Sequence, residues 1–276
     1  MMINPAKHIP YALNAAAFAM RELDFHPDPT QTTILEANPR RLLLNCNRQW
    51  GKSTISAILI AHRAIFKPGS LSIILAPSKR QSAETLRKVA EFLEKAGLPV
   101  LKSDRVNQHS IVLPNGSRII ALPSSESKLR GFSAVSLLVI DEAARVEDPL
   151  YYALRPALAV SAGDIVCVTT PLGKRGFYYR EYSFNKDWVK YTIPASQCPR
   201  ISSAFLDEER RLGDEYFSQE YECQFVESGR FLLNDADCGR LFTTDIQPLN
   251  LYDPRVPAWT NTMRPLVPPR NPERSE

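Results

Sequence analysis

The chain has 276 residues, of which 44% are hydrophobic and 23% charged, and a formal net charge of +4. That balance suits one large globular domain, or a domain with a small appendage, and excludes a membrane-spanning chain because no apolar run reaches bilayer length. Cys46, Cys167, Cys198, Cys223 and Cys238 are widely spread with no C-x-x-C pair, which excludes a disulfide framework or structural zinc site and points to a soluble protein of a reducing compartment.

The N-terminal stretch YALNAAAFAM (11–20) lies behind Lys7 like a weak signal-peptide core. However, Leu13, Ala16, Ala17 and Met20 recur at helical spacing and Arg21-Glu22 follow without a breaker, so the pattern predicts an amphipathic helix. Residues 1–30 are read as an N-terminal helical segment. In FHPDPTQ, Gln31 carries an amide that can donate to and accept from an adenine edge, although a lone glutamine is usually a surface residue.

RLLLNC (41–46) reads as a buried strand and STISAILIAHRAIF (53–66) as the helix after it. Between them NRQWGKST, Asn47, Arg48, Gln49, Trp50, Gly51, Lys52, Ser53 and Thr54, has the strand–loop–helix setting of a phosphate-binding loop. The usual pattern wants glycine where Cys46 stands. In such a loop, backbone N–H groups and the helix N-terminus surround a triphosphate with positive potential. Lys52 is then expected to reach the β- and γ-phosphates, and the Ser53 hydroxyl to sit on Mg²⁺.

LSIILA (71–76) is a second buried strand, and KRQSAETLRKVAEFLEKAG (79–97) a helix closed by Lys95 and Gly97. SIVLPNGSRIIAL (110–122) predicts two strands around a Pro-Asn-Gly-Ser turn. SLLVID (136–141) puts Asp141 and Glu142 at the C-terminal end of a buried strand, where ligands bind in open α/β sheets. Asp141 can hold Mg²⁺, directly or through water, while Glu142 orients and deprotonates an attacking water. DIVCVTT (164–170) ends in Thr169 and Thr170, whose hydroxyls can lie beside a γ-phosphate; a plain turn before Pro171 reads equally well. Lys174, Arg175 and Arg180, with Tyr178 and Tyr179, are candidate contacts to a nucleic-acid backbone, with a solvated loop as the alternative.

SAFLDEERRLG (203–213) and DEYFSQEYECQF (214–225) read as two short helices. Asp235 and Asp237 read as linker residues, and the proline-rich stretch from Leu251 as extended or disordered. Strands alternating with helices predict an α/β fold. It has a mainly parallel central sheet flanked by helices, a β-hairpin insertion and a small helical appendage. The expected divisions are 1–30, a core over 31–185, a lid subdomain over 186–232, and a linker and tail over 233–276.

In this order the pieces resemble the ATPase half of the large terminase subunit, the DNA-packaging motor of tailed phages. The resemblance covers roughly residues 20–232 and rests on NRQWGKST, LAPSKRQSAETL, LPNGSRIIAL, LRGFSAVSLLVIDEAA, TTP and FSQEYECQF. It implies a P-loop NTPase fold, ATP and Mg²⁺, and tolerance of a non-glycine loop start such as Cys46. Position by position, it implies that Gln31 reads adenine and that Arg48 stabilises transition-state charge in cis. Lys52, Ser53, Asp141 and Glu142 match the phosphate, metal and catalytic-base positions, and Thr169 and Thr170 the coupling motif. Arg130 would meet a phosphate or a neighbouring subunit, or be a solvated surface arginine.

The implied partners are double-stranded DNA, a portal protein and a small terminase subunit, with a homo-oligomeric ring in the host cytoplasm and no membrane. Such chains normally continue into a ribonuclease-H-type nuclease, for which too few residues follow Arg230, so nuclease activity is not expected of this chain. The competing expectations are a catalytically silent prophage remnant and a helicase-like P-loop ATPase.

Overall fold

Apolar runs with no polar break have to be covered on both faces, and the four longest become inner strands. In the computed structural model, which describes residues 10–98, 109–125 and 131–227, these are β1 (Arg41–Cys46), β2 (Leu71–Ala76), β5 (Val135–Asp141) and β6 (Asp164–Thr169). Arg130, Asp235, Asp237, Cys238 and the proline-rich tail lie outside the described residues. Short β3 (Ser110–Val112), β4 (Arg118–Pro123) and β7 (Val189–Ile193) complete a seven-stranded sheet, ordered β3-β4-β2-β5-β6-β1-β7 among the described residues. All its pairings are parallel except β3 with β4, the hairpin expected around Pro114-Asn115-Gly116.

Side-chain alternation divides the core into two layers. From β1, Leu42, Leu44 and Cys46 join one layer while Leu43 joins the other. The first layer is covered by α1 (Ala15–Glu22), α2 (Pro29–Ala37), α3 (Lys52–Phe66) and α4 (Lys79–Lys95), through side chains such as Phe18, Ile34, Ile58 and Val89. The second is covered by α5 (Asp148–Leu154) and α6 (Gly176–Phe184), where Tyr151 stacks on Phe177. A separate small cluster, Ala195, Phe217 and Tyr221, organises α7 (Ser203–Arg210) and α8 (Asp214–Glu220).

Three expectations change. The N-terminal helix exists, but its buried face is Ala15, Ala16, Phe18 and Ala19, while Leu13 is 85% exposed. Asn14 caps that helix by accepting from the Ala17 N–H, so the helix starts at Ala15, two residues beyond Leu13. Tyr178 is buried in the second core layer, which removes it as a nucleic-acid contact. Finally, β7 pairs with β1, which carries the sheet past residue 185.

Candidate functional site

The phosphate-loop stretch starts from a strand end. Cys46 is the last residue of β1, with ordinary extended backbone, so nothing at that position requires glycine. Asn47 then anchors the turn: its N–H and Nδ2 both donate to the Ile193 carbonyl at 3.1 Å, and its Oδ1 accepts from the Gln49 N–H at 3.0 Å. Trp50 buries its indole in the core, so only its main chain belongs to the loop. The Trp50 carbonyl accepts from Gln31 Nε2 at 2.9 Å and from Arg200 Nη2 at 2.6 Å.

Gly51 is a true glycine position, with φ +100° and the site of a Cβ 3.3 Å from Gln31 Nε2. Gly51→Ala is therefore expected to destabilise the protein by about 1–3 kcal/mol and to weaken nucleotide binding, read from a denaturation midpoint and a titration. Among the described residues no side chain caps the N-terminus of α3, leaving its first N–H groups for a ligand.

The strand order explains why distant residues meet. β6 lies between β1 and β5, so the loop after β1, the threonines at the end of β6 and the acids at the end of β5 share one sheet edge. Lys52, 6% exposed, donates from Nζ to Thr170 Oγ1 at 2.7 Å and lies 3.8 Å from Glu142 Oε1. Ser53 Oγ donates to Asp141 Oδ2 at 3.5 Å. Thr169 Oγ1 donates to the Thr170 carbonyl and accepts from the Ala144 N–H, which ties the threonine pair to the turn behind Glu142. Glu142 itself has φ +51°, a left-handed conformation rare outside glycine, and its Oε2 accepts from Arg145 Nη1 at 2.8 Å. Burial pushes the Asp141 carboxyl above its usual range and Glu142 adds to this, while Lys52 pulls the other way.

These groups surround a cleft of about 500 Å³ lined by Arg48, Gln49, Gly51, Lys52, Ser53 and Glu142, together with Gln81, Lys88 and Arg145. Four cationic side chains against one carboxylate make it a site for a polyanion. The sequence reading missed Gln81, Lys88 and Arg145, and also Thr85, whose hydroxyl donates to Asp141 Oδ2 at 3.2 Å. Positions 81, 85 and 88 fall on one face of α4, a helical spacing that would have marked them once α4 was placed over the site.

Other expected residues have different surroundings. Gln31 does not line the cleft; its Oε1 accepts from the Asp28 N–H, closing a capping box at the start of α2. Lys174 donates to Glu227 at 3.1 Å, and Arg180 to Asp148 Oδ2 at 2.6 Å and to the Tyr152 hydroxyl. Arg175 precedes α6 and is exposed, with no ion pair among the described residues.

Ser53 and Asp141 are hard oxygen donors that share one hydrogen bond, and no group of three or more His, Cys, Asp or Glu able to hold a metal occurs among the described residues. Such a sparse oxygen set suits Mg²⁺, which keeps several waters and completes its shell with substrate phosphates.

The family model described as "Terminase large subunit, T4likevirus-type, N-terminal" matches residues 43–246. The large terminase subunits of Thermus phage G20c and Thermus virus P23-45 are each 22% identical over an alignment covering 83% of this chain and 57% of theirs. The chain thus spans little more than half the length of these curated relatives. The Thermus phage P74-26 large terminase ATPase domain superposes with a TM-score of 0.66 at 20% identity, covering 78% of this chain and 100% of that one. The large terminase of a thermophilic bacteriophage in complex with ADP gives a TM-score of 0.57 at 10% identity, covering 69% and 49%. At these identities the likeness shows a shared fold.

Proposed function

The chain belongs to the family described as terminase large subunit, T4likevirus-type, N-terminal, and from that premise we propose that it is the ATP-hydrolysing part of a DNA-packaging motor. One observation carries the proposal: Lys52 from the loop lies 3.8 Å from Glu142, and Ser53 lies 3.5 Å from Asp141, so loop and acid pair face one polyanion cleft. Two solved structures of the same fold, both of that thermophilic bacteriophage's large terminase, hold ADP and ATP-gamma-S.

In this reading the triphosphate lies against the N-terminus of α3, with Lys52 on the β- and γ-phosphates. Ser53 and Asp141 hold Mg²⁺, which supplies charge neutralisation at the phosphate oxygens. Glu142 takes a proton from the attacking water, and Arg48 with Lys52 neutralises charge that develops on the transferring group. Thr170, bonded to Lys52, and Thr169, bonded behind Glu142, couple the state of the γ-phosphate to the chain after β6. Gln31 is buried with its amide on the Asp28 N–H and the Trp50 carbonyl, so reading an adenine edge would require it to leave these partners.

The same reading makes double-stranded DNA the substrate that is moved and a portal protein and small terminase subunit the partners, in a homo-oligomeric ring. For DNA contact it favours Arg175, since Lys174 and Arg180 would have to leave Glu227 and Asp148.

Steady-state phosphate release with and without double-stranded DNA tests the proposal. The expected result is a measurable ATPase rate that rises with duplex DNA. Silence in both conditions would favour a catalytically dead remnant, and stimulation by single strands alone would favour a helicase-like ATPase.

A further inference from the structure

The buried stripe of α4 contains one polar group that packing alone does not require. Thr85, Val89 and Leu93 follow one another at four-residue spacing, and all three are buried. Val89 and Leu93 join the first core layer, and valine, with the same branched shape as threonine, would continue their row at position 85. A helical threonine commonly turns its hydroxyl back to a carbonyl one turn earlier. Thr85 does not. Among the described residues its hydroxyl has one hydrogen-bond partner, Asp141 Oδ2 at 3.2 Å, at the end of β5.

Asp141 is thereby held at both oxygens. Oδ1 accepts from the Glu142 N–H at 3.0 Å, and Oδ2 accepts from Thr85 and, at 3.5 Å, from Ser53. With a donor at each oxygen, the carboxylate plane cannot turn without breaking a bond. The Ser53 bond is the longest of the three, and its hydroxyl is the one assigned to the cation. Thr85 is different. It is buried and does not line the cleft, although Gln81 and Lys88, one turn before and after it, do. It can therefore reach a bound cation only through Asp141.

We propose that Thr85 is a positioning residue for the metal-holding carboxylate: from α4 it fixes the plane of Asp141 and so sets how tightly the site takes Mg²⁺ with its nucleotide. The inference rests on Ser53 and Asp141 holding Mg²⁺ in the nucleotide cleft, as argued above. Mg²⁺ demands near-ideal octahedral geometry, so a carboxylate that swings loses affinity for it even when its charge is intact. Groups that hydrogen-bond a ligating side chain orient it, and their removal typically costs about 10–100-fold in metal affinity. Ser53 cannot replace Thr85 in this role, because its own lone pair has to follow the cation.

The test is an ATPγS titration of the full chain, once in Mg²⁺ and once in EDTA, for wild type, Thr85→Val and Thr85→Ser. The ratio of the two Kd values reads the contribution of the metal without turnover. Thr85→Val keeps the shape and loses the donor, whereas Thr85→Ser keeps the donor and loses a methyl group. Thr85→Val is expected to lose about 10-fold or more of the ratio, with its Kd in EDTA close to wild type. The Mg²⁺ concentration for half-maximal phosphate release should rise in step. Thr85→Ser should keep nearly the wild-type ratio while melting below wild type, because the missing methyl leaves a gap in the core. A role in packing alone predicts the opposite ranking. A wild-type ratio in Thr85→Val, or an equal loss in Thr85→Ser, would overturn the inference while leaving the nucleotide reading intact. If Thr85→Val is too unstable to titrate, Thr85→Ala takes its place, and a ratio there as high as in Thr85→Ser contradicts the proposal. A wild-type chain that binds ATPγS equally in both media loses the metal assignment and this inference but keeps the nucleotide site; one that binds in neither loses the nucleotide reading as well.

Discussion

Glu142→Gln is expected to slow ATP turnover by about 10²–10⁴-fold while ATPγS binding stays close to wild type. The two oxygens of Glu142 are held differently: Oε2 accepts from Arg145 at 2.8 Å, and Oε1 faces Lys52 at 3.8 Å. Glutamine keeps the length and one accepting oxygen but cannot receive a proton from water. The backbone here is unusual, since a non-glycine residue at φ +51° stores strain that its surroundings must hold in place. Those surroundings are independent of the carboxylate charge. The Glu142 N–H donates to Asp141 Oδ1, and the turn over Ala143–Arg145 is tied to Thr169 through the Ala144 N–H. The denaturation midpoint should therefore hardly move, which separates lost chemistry from lost fold. Normal steady-state turnover in the variant would remove Glu142 as the general base.

The parts of the molecule legible in the sequence are those where a local pattern has a single physical solution. LLLNC, SIILA, SLLVI and IVCVT are too uniformly apolar for anything but doubly covered strands, and they became β1, β2, β5 and β6. Gly51-Lys52-Ser53 after such a strand was legible because glycine is required there, as φ +100° shows, while Cys46 only ends a strand. Strand β7 was not legible, because it lies at the sheet edge and leaves Val189 and Thr192 exposed, so it has no continuous apolar run. The short helices α5 and α6 bury aromatic side chains without a long repeat, and the tyrosines of α6 read equally well as surface contacts. The spacing in the N-terminal helix points to the wrong face because alanines carry little hydrophobic signal, and Phe18 decides the packing. Around the cleft, the partners of the loop come from far along the chain. Glu220 lies 172 residues from Arg48, and Arg200 lies 150 from Trp50, so no local spacing marks them.

Lys52→Ala is expected to abolish turnover, by about 10³-fold or more, and unlike Glu142→Gln to weaken nucleotide binding as well. The ammonium is buried, and its partners are the Thr170 hydroxyl at 2.7 Å, the Asn47 carbonyl at 3.5 Å and Glu142 at 3.8 Å. Removing it has three consequences at one site. The phosphates lose the one cation of the cleft that is buried, where a charge is least screened by solvent. The Thr170 hydroxyl, itself buried, loses its partner, so the link from the loop to the end of β6 is cut. Asp141 also loses the charge that opposes its burial and its neighbour Glu142, so its proton affinity rises further and its ability to hold a cation falls. The first and third effects act on the bound ground state, which is why the loss should appear in the ATPγS Kd as well as in kcat. Thr170→Val isolates the second effect, since Lys52 and both acids remain; it should reduce stimulation by duplex DNA more than the basal rate. A Lys52→Ala protein that bound ATPγS as tightly as wild type and lost only kcat would confine the lysine to the transition state and contradict its placement on the phosphates of the bound nucleotide.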